Sequence, residues 1–200
     1  MKRGNPIVKS KLETTYGLFH INAYETEIPE LPNLALFTPE LDTNEIVNVR
    51  IHSECATGDI FSSVKCDCGE QLEYSMKYVQ ENGGVIVYLR QEGRGIGLVN
   101  KLKAYNLQDK GLDTREANLE LGFHEDLREY SQAIAILEGL GISKIRLLTN
   151  NPLKIDAFEG SGIEVVGRIP IEMKPRETNL FYLQTKKNRM GHLFSAEIIK

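Results

Sequence analysis

The sequence predicts an α/β protein, with a mostly parallel sheet, flanking helices and a β-rich N-terminal opening. Strand-like apolar runs recur at 17–24, 33–38, 46–52, 84–90, 144–149 and 164–169, and patterns of helical period separate only the later ones. Alternation of strand and helix calls for right-handed crossovers, and so for parallel pairing. The early runs have no helices between them and predict antiparallel neighbours.

The elements follow in order. Leu72, Met76 and Val79 repeat at i, i+4 and i+7, which predicts a helix ahead of the strand Val85–Leu89. Leu98, Leu102 and Tyr105 repeat that spacing, and Gly111 supplies a stop. Tyr130, Ala133 or Ile134, Leu137, and Leu140 or Gly141 mark a third helical face. Asn151 reads as an N-cap with Pro152 at the first helical position. Beyond Pro175 a last helix carrying Lys186, Lys187 and Arg189 is expected, then a frayed end. No repeat, low-complexity tract or linker interrupts the chain, so residues 1–200 are expected to form a single domain.

Composition narrows the function. Lys and Arg total 24 against 28 Asp and Glu, a net charge of −4 that argues against a non-specific nucleic-acid binder. A phosphorylated ligand would then need a local basic cluster. No apolar run is long enough to span a membrane, and the polar start Met1-Lys2-Arg3-Gly4-Asn5-Pro6 does not read as a secretory signal. A cytoplasmic protein with no nucleic-acid and no membrane partner is the expectation.

The three cysteines fall in one short stretch, Cys55-x10-Cys66-x-Cys68, among turn residues. Thiolates in that number select zinc. A structural zinc site wants four protein ligands, whereas three leave a position for a water whose pKa the metal lowers to about 7. A three-thiolate catalytic zinc site is the favoured reading; the alternatives are a four-ligand structural site closed by His52 and three buried thiols acting as small hydrophobes.

Two strand-to-helix edges suit an anion. Arg90-Gln91-Glu92-Gly93-Arg94-Gly95-Ile96-Gly97 places glycines and two arginines where a helix opens, and Thr149-Asn150-Asn151-Pro152-Leu153-Lys154 repeats the form. Ligands of open α/β sheets sit beyond such strand ends. Glu92 is a candidate for guanine, because a carboxylate accepts the paired N1–H and 2-amino donors of that base. Asp126 with Glu129 three positions on reads as a capping box, and Tyr105 as a core residue on its helix seam.

These segments together resemble GTP cyclohydrolase II. The likeness rests on Arg50-Ile51-His52-Ser53-Glu54-Cys55-Ala56-Thr57-Gly58-Asp59, Lys65-Cys66-Asp67-Cys68-Gly69, Arg90-Gln91-Glu92-Gly93-Arg94 and Asp109-Lys110-Gly111-Leu112-Asp113-Thr114. Glu116-Ala117-Asn118, Leu121-Gly122-Phe123 and Leu147-Leu148-Thr149-Asn150-Asn151-Pro152 continue it, so that it covers 45–194 and is loose before that. Leu89 and Gly95 depart from residues common in the family, His and Asn.

The resemblance implies the first step of riboflavin biosynthesis: GTP to formate, pyrophosphate and 2,5-diamino-6-(5-phosphoribosylamino)pyrimidin-4-one, in a homodimer using Zn²⁺ and Mg²⁺. By position it implies Cys55, Cys66 and Cys68 as zinc ligands. Arg50, Ile51, His52, Ser53, Glu54, Gln71, Glu92, Gly93, Arg94, Thr114, Thr149 and Lys154 would bind GTP. Asp126 would accept a proton, Arg128 would act at the α-phosphate as nucleophile or electrostatic clamp, and Tyr105 would work near the purine. Under this reading an N-cap Asp126 and Arg128 diverge from a helix start, one toward the base and one toward the phosphate. A paralogue that stops at the formylated pyrimidine, and a zinc-stabilised nucleic-acid-binding module, are the rival readings.

Overall fold

A computed structural model describes residues 4–124 and 126–195. The chain divides into two compact units, one built from residues up to His52, Leu72–Arg90 and Tyr130–Ile171, the other from Ser53–Gln71, Gln91–Glu129 and the chain from Glu172 onward. Their segments alternate along the sequence, which is why no single boundary shows in composition.

The first unit holds the sheet. Among the described residues it has seven strands: β1 (Val8–Thr14), β2 (Gly17–Tyr24), β3 (Asn33–Phe37), β4 (Val47–Ser53), β5 (Val85–Leu89), β6 (Lys144–Leu148) and β7 (Glu164–Ile169), in the order β1-β2-β3-β5-β4-β6-β7. Antiparallel pairing joins β1 to β2, β2 to β3 and β3 to β5, whereas β4–β6 and β6–β7 are parallel. The sheet is therefore mixed, with β5 joined to the antiparallel N-terminal strands through β3. Strand β1 is absent from the sequence reading. Its residues VKSKLET are almost all exposed, so no apolar alternation marks it.

Helices cover both faces. One core gathers Val47, Val49 and Ile51 of β4, Val85 and Val87 of β5, and Ala133, Ile136 and Leu137 of helix α5 (Ser131–Gly139). On the other face Phe19 and Ile86 meet Met76 and Val79 of α2 (Cys68–Asn82). Burying each such Ile, Leu or Val contributes about 1.5–3 kcal/mol. Strand β4 is buried from Val47 to His52, so its alternate residues Asn48, Arg50 and His52 are polar groups held inside.

The second unit carries α1 (Ala56–Asp59), a 3₁₀ turn (Glu92–Gly95), α3 (Gly97–Gln108), α4 (Thr114–Glu120) and α7 (Glu177–Met190). Asp113 caps α4 in a full capping box: its carboxylate accepts the N–H groups of Arg115 and Glu116, and Glu116 accepts the N–H of Asp113. The expected box at Asp126 is not formed, since residues 126–130 precede α5 without being helical. The expected inward seam of α3 is also reversed. Leu98 and Leu102 are exposed, and Ala104 is its buried residue.

Candidate active site

The three thiols converge because two glycines let their loops touch. A Cβ on Gly69 would stand 2.3 Å from the Gly58 carbonyl oxygen, and one on Gly58 3.1 Å from the Cys66 sulfur and 3.2 Å from the Cys55 sulfur. Backbone thus packs on backbone where α1 meets the start of α2. Asp59 accepts the N–H of Cys55 at 2.9 Å and fixes the first thiol. The Cys55, Cys66 and Cys68 sulfurs all lie within 4.8 Å of one another, with Cys55 and Cys66 3.7 Å apart. A tetrahedral zinc with Zn–S bonds of about 2.3 Å sets its sulfurs about 3.8 Å apart, so the donor set fits that ion. Among the described residues no histidine joins the cluster. The His52 ring stacks on Tyr88.

The cluster is embedded in charge. Lys101 on α3 donates to Cys55 Sγ at 3.0 Å and to Glu92 Oε1 at 2.8 Å. Hydrogen bonds from Cys66 and Cys68, supported by the Lys101 ammonium, hold the Cys55 thiol far below its usual range. The Cys66 thiol, hydrogen-bonded to Cys55, is pushed up to about 11, and the buried Cys68 thiol rises too. Burial works against the charge of Lys101, yet Cys55 and Glu92 raise its pKa overall.

Glu92 is turned inward. Its Oε2 accepts the Ala56 N–H at 2.6 Å, and Oε1 accepts the Gly93 N–H at 2.7 Å besides Lys101. Glu92 thereby holds Lys101 and the start of α1, and it also lines the cavity of this unit. Gly93 and Arg94 both have φ of 62°, which aims the turn and is strained for the arginine. Gly95, at φ 91°, also lacks room: a Cβ there would meet Leu127 Cβ at 3.0 Å. Leu127 N–H donates to Arg94 O, joining this turn to the segment that carries Asp126 and Arg128. Those two side chains pair with each other instead of diverging.

Within this unit a cavity of about 420 Å³ is lined by Ser53, Glu54, Cys55, Cys66, Cys68, Glu92, Gly93, Arg94, Tyr105 and Arg128. That volume suits a small-molecule ligand. Tyr105 leaves the expected core and faces the cavity, its hydroxyl 3.2 Å from Thr57 Oγ1 and its pKa raised by burial. Gln91 Nε2 holds Ser53 Oγ at 2.9 Å. Gln71 and Asp126 do not line the cavity. Gln71 donates to Asp67, and Asp126 supports Arg128. The side chain of Thr114 lies outside the described residues.

The remaining expected positions belong to the sheet unit and gather at the carboxyl ends of β4 and β6. Lys154 is buried and donates to Ile51 O at 2.7 Å, and Arg50 donates to Leu148 O at 3.0 Å. Thr149 Oγ1 accepts the Asn151 N–H, while Asn151 caps α6 (Pro152–Asp156) as its sequence predicts. The Ile51 side chain lies in the core, and its carbonyl is the one that Lys154 holds.

The sequence model of the GTP cyclohydrolase II family matches residues 5–170. The chain belongs to the GTP cyclohydrolase II family. The match takes in residues 5–44, where the motifs alone gave little. It is 52% identical over 190 residues to the riboflavin biosynthesis protein RibBA of Chlorobium phaeovibrioides, covering 94% of this chain and 46% of that protein. The RibBA of Bacillus cytotoxicus is 49% identical over 189 residues, covering 94% and 48%. This cyclohydrolase-family chain thus spans about half the length of the curated relatives it matches. RibBX of A. baumannii, a two-domain 3,4-dihydroxy-2-butanone 4-phosphate synthase, is similar over 85% of this chain and 40% of its own, at 20% identity and a TM-score of 0.45. Among the described residues no helix is long and apolar enough to cross a membrane.

Lys101 is the residue the motifs missed. Its signal was its place one turn before Tyr105, which puts both on one face of α3.

Proposed function

We propose that this chain opens the imidazole ring of GTP at C8 and releases formate and pyrophosphate, giving 2,5-diamino-6-(5-phosphoribosylamino)pyrimidin-4-one, the first step of riboflavin biosynthesis. The observation that carries the reading is three thiols at zinc spacing in one cavity with Arg94, Arg128 and Tyr105, inside a GTP cyclohydrolase II chain.

Cys55, Cys66 and Cys68 would hold the zinc, which when bound activates water for attack on the ring carbon and then on the formyl group. Lys101 offsets the charge of the thiolates through Cys55. Tyr105, its pKa raised by burial and its hydroxyl held by Thr57, would give a proton to a ring nitrogen as it leaves. Arg94 and Arg128 offer guanidinium charge to the phosphates, with Mg²⁺ on the triphosphate as a further part of the proposal. Arg128 carries a permanent positive charge, as arginine does in proteins. Its role is an electrostatic clamp at the α-phosphate.

By motif position alone, the reading carries over as GTP-binding candidates Arg50, Ile51, His52, Thr149 and Lys154 of the sheet unit and Ser53, Glu54, Gln71, Glu92, Gly93 and Thr114 of the other. A homodimer belongs to the same reading: Val99 on α3 and Leu119 on α4 are exposed apolar side chains of the kind a partner subunit covers. A reducing cytoplasm suits three free thiols. Mass analysis of the products formed from GTP and Mg²⁺ tests the activity, and separates full deformylation from a reaction that stops at the formylated pyrimidine.

A further inference from the structure

Helix α7 lies beyond the residues that the family model matches, yet it is bound to the thiol loop. Thr178 Oγ1 donates to Val64 O at 2.9 Å, and Arg176, just before the helix, reaches Glu70 at 2.6 Å. Both contacts are exposed, and exposed pairs hold weakly. The third contact is of another kind. Lys186 Nζ meets Asp67 Oδ1 at 2.6 Å, with the Asp67 side chain 1% and the Lys186 side chain 11% exposed.

Asp67 is the residue between Cys66 and Cys68. Its second oxygen accepts Gln71 Nε2 at 2.6 Å, so both carboxylate oxygens are taken up, one by α7 and one by the first turn of α2. Anchoring the middle residue of a Cys-x-Cys leaves its two neighbours little freedom, and here both turn their sulfurs toward Cys55. The ammonium also stands 4.4 Å above the ring of Tyr182, which with Thr178 and Phe181 lines the same cavity. A buried pair of this kind adds little net stability compared with apolar packing. What it does supply is direction at the atoms next to two metal ligands.

We propose that α7 is a working part of the metal site, with Lys186 a positioning residue that acts through Asp67 to hold the Cys66 and Cys68 thiols in ligand geometry. The inference rests on the reading that the three thiols bind zinc. It is tested on the full chain by stripping the metal and titrating Zn²⁺ against a chromogenic chelator, then Co²⁺ for its thiolate charge-transfer and ligand-field bands. Wild type should take up one ion per chain with a three-thiolate cobalt spectrum. Lys186→Met should bind zinc about 10–100-fold more weakly, the range seen when a partner of a ligand is removed, with shifted cobalt bands. Lys186→Arg, which keeps a charged donor, should recover part of both.

If Lys186→Met does not fold, the double variant Asp67→Asn with Lys186→Met cuts the same tie without leaving a buried charge alone. It should show the same loss. Wild type that binds no zinc overturns the metal reading, and this inference with it. Wild type that binds one zinc, beside a folded Lys186→Met or double variant of equal affinity and unchanged cobalt spectrum, overturns the role of α7 alone.

Discussion

The guanidinium of Arg128 closes on the carboxylate of Asp126 as a fork, Nε to Oδ1 at 2.9 Å and NH2 to Oδ2 at 2.5 Å, while the Arg128 N–H also donates to Oδ1 at 3.0 Å. The segment is not helical, so residues two apart can meet side by side. Asp126 therefore fixes the direction of Arg128, which lines the cavity. Arg128→Ala is expected to abolish pyrophosphate release. Arg128→Lys, which keeps charge but loses the planar fork, should retain part of it. A pyrophosphate assay beside intact-protein mass spectrometry checks this, and a trapped nucleotidyl adduct on the wild-type chain would show a covalent role instead.

The same pair sets a pH signature. Burial alone would raise the Asp126 carboxyl, but hydrogen bonds and charge from Arg128 bring it below its ordinary value of 3.8. A carboxyl depressed in the folded state contributes stability that is whole above its unfolded pKa and is lost as pH falls through the folded one. Asp126→Asn should therefore lose stability at neutral pH and show a flatter decline below the ordinary carboxylate range. Urea unfolding of both proteins between pH 7 and pH 3 would measure it; parallel curves would mean that the pair contributes nothing.

Glu92 gives a test of base recognition. Both of its oxygens are engaged, by Ala56, Gly93 and Lys101, so it holds Lys101 against Cys55. Glu92→Gln should weaken that hold by about 1–3 kcal/mol. Turnover of GTP and of inosine triphosphate, which lacks the 2-amino group, should then fall in parallel. A selective loss on GTP would show that the carboxylate reads the guanine edge after all.

Gly69 tests the close approach behind the thiols. Its Cβ would stand 2.3 Å from a backbone oxygen that cannot rotate away. Gly69→Ala should cost about 1–3 kcal/mol of stability by overpacking and lower zinc content at a fixed metal concentration. Thermal denaturation with metal analysis on one sample reads both.

What the sequence made legible was local. Cys55, Cys66 and Cys68 fall in one loop, so spacing alone marked the metal cluster, and Asn151-Pro152 announced its own cap. Helix α2 was readable because Met76 and Val79 repeat on a buried face. Strand β1 was not, because an exposed edge strand needs no apolar period. Asp126 misled because a cap and a side-chain salt bridge use the same residue type, and only the backbone after it decides between them. Lys186 and Asp67 lie 119 positions apart, a distance at which no local pattern pairs two charges. Glu92 was placed in the right loop, but its direction depends on Lys101, contributed by the following helix.

The central claim, that these thiols and arginines serve one ring-opening reaction, is tested most directly by mass spectrometry of the small molecules formed when zinc-loaded protein is given GTP and Mg²⁺. Formate, pyrophosphate and the diamino-phosphoribosylamino-pyrimidinone should appear together, and Cys66→Ser, folded but metal-free, should form neither formate nor the opened ring. GTP recovered unchanged from the zinc-loaded wild type, or phosphate loss with the purine intact, would contradict it.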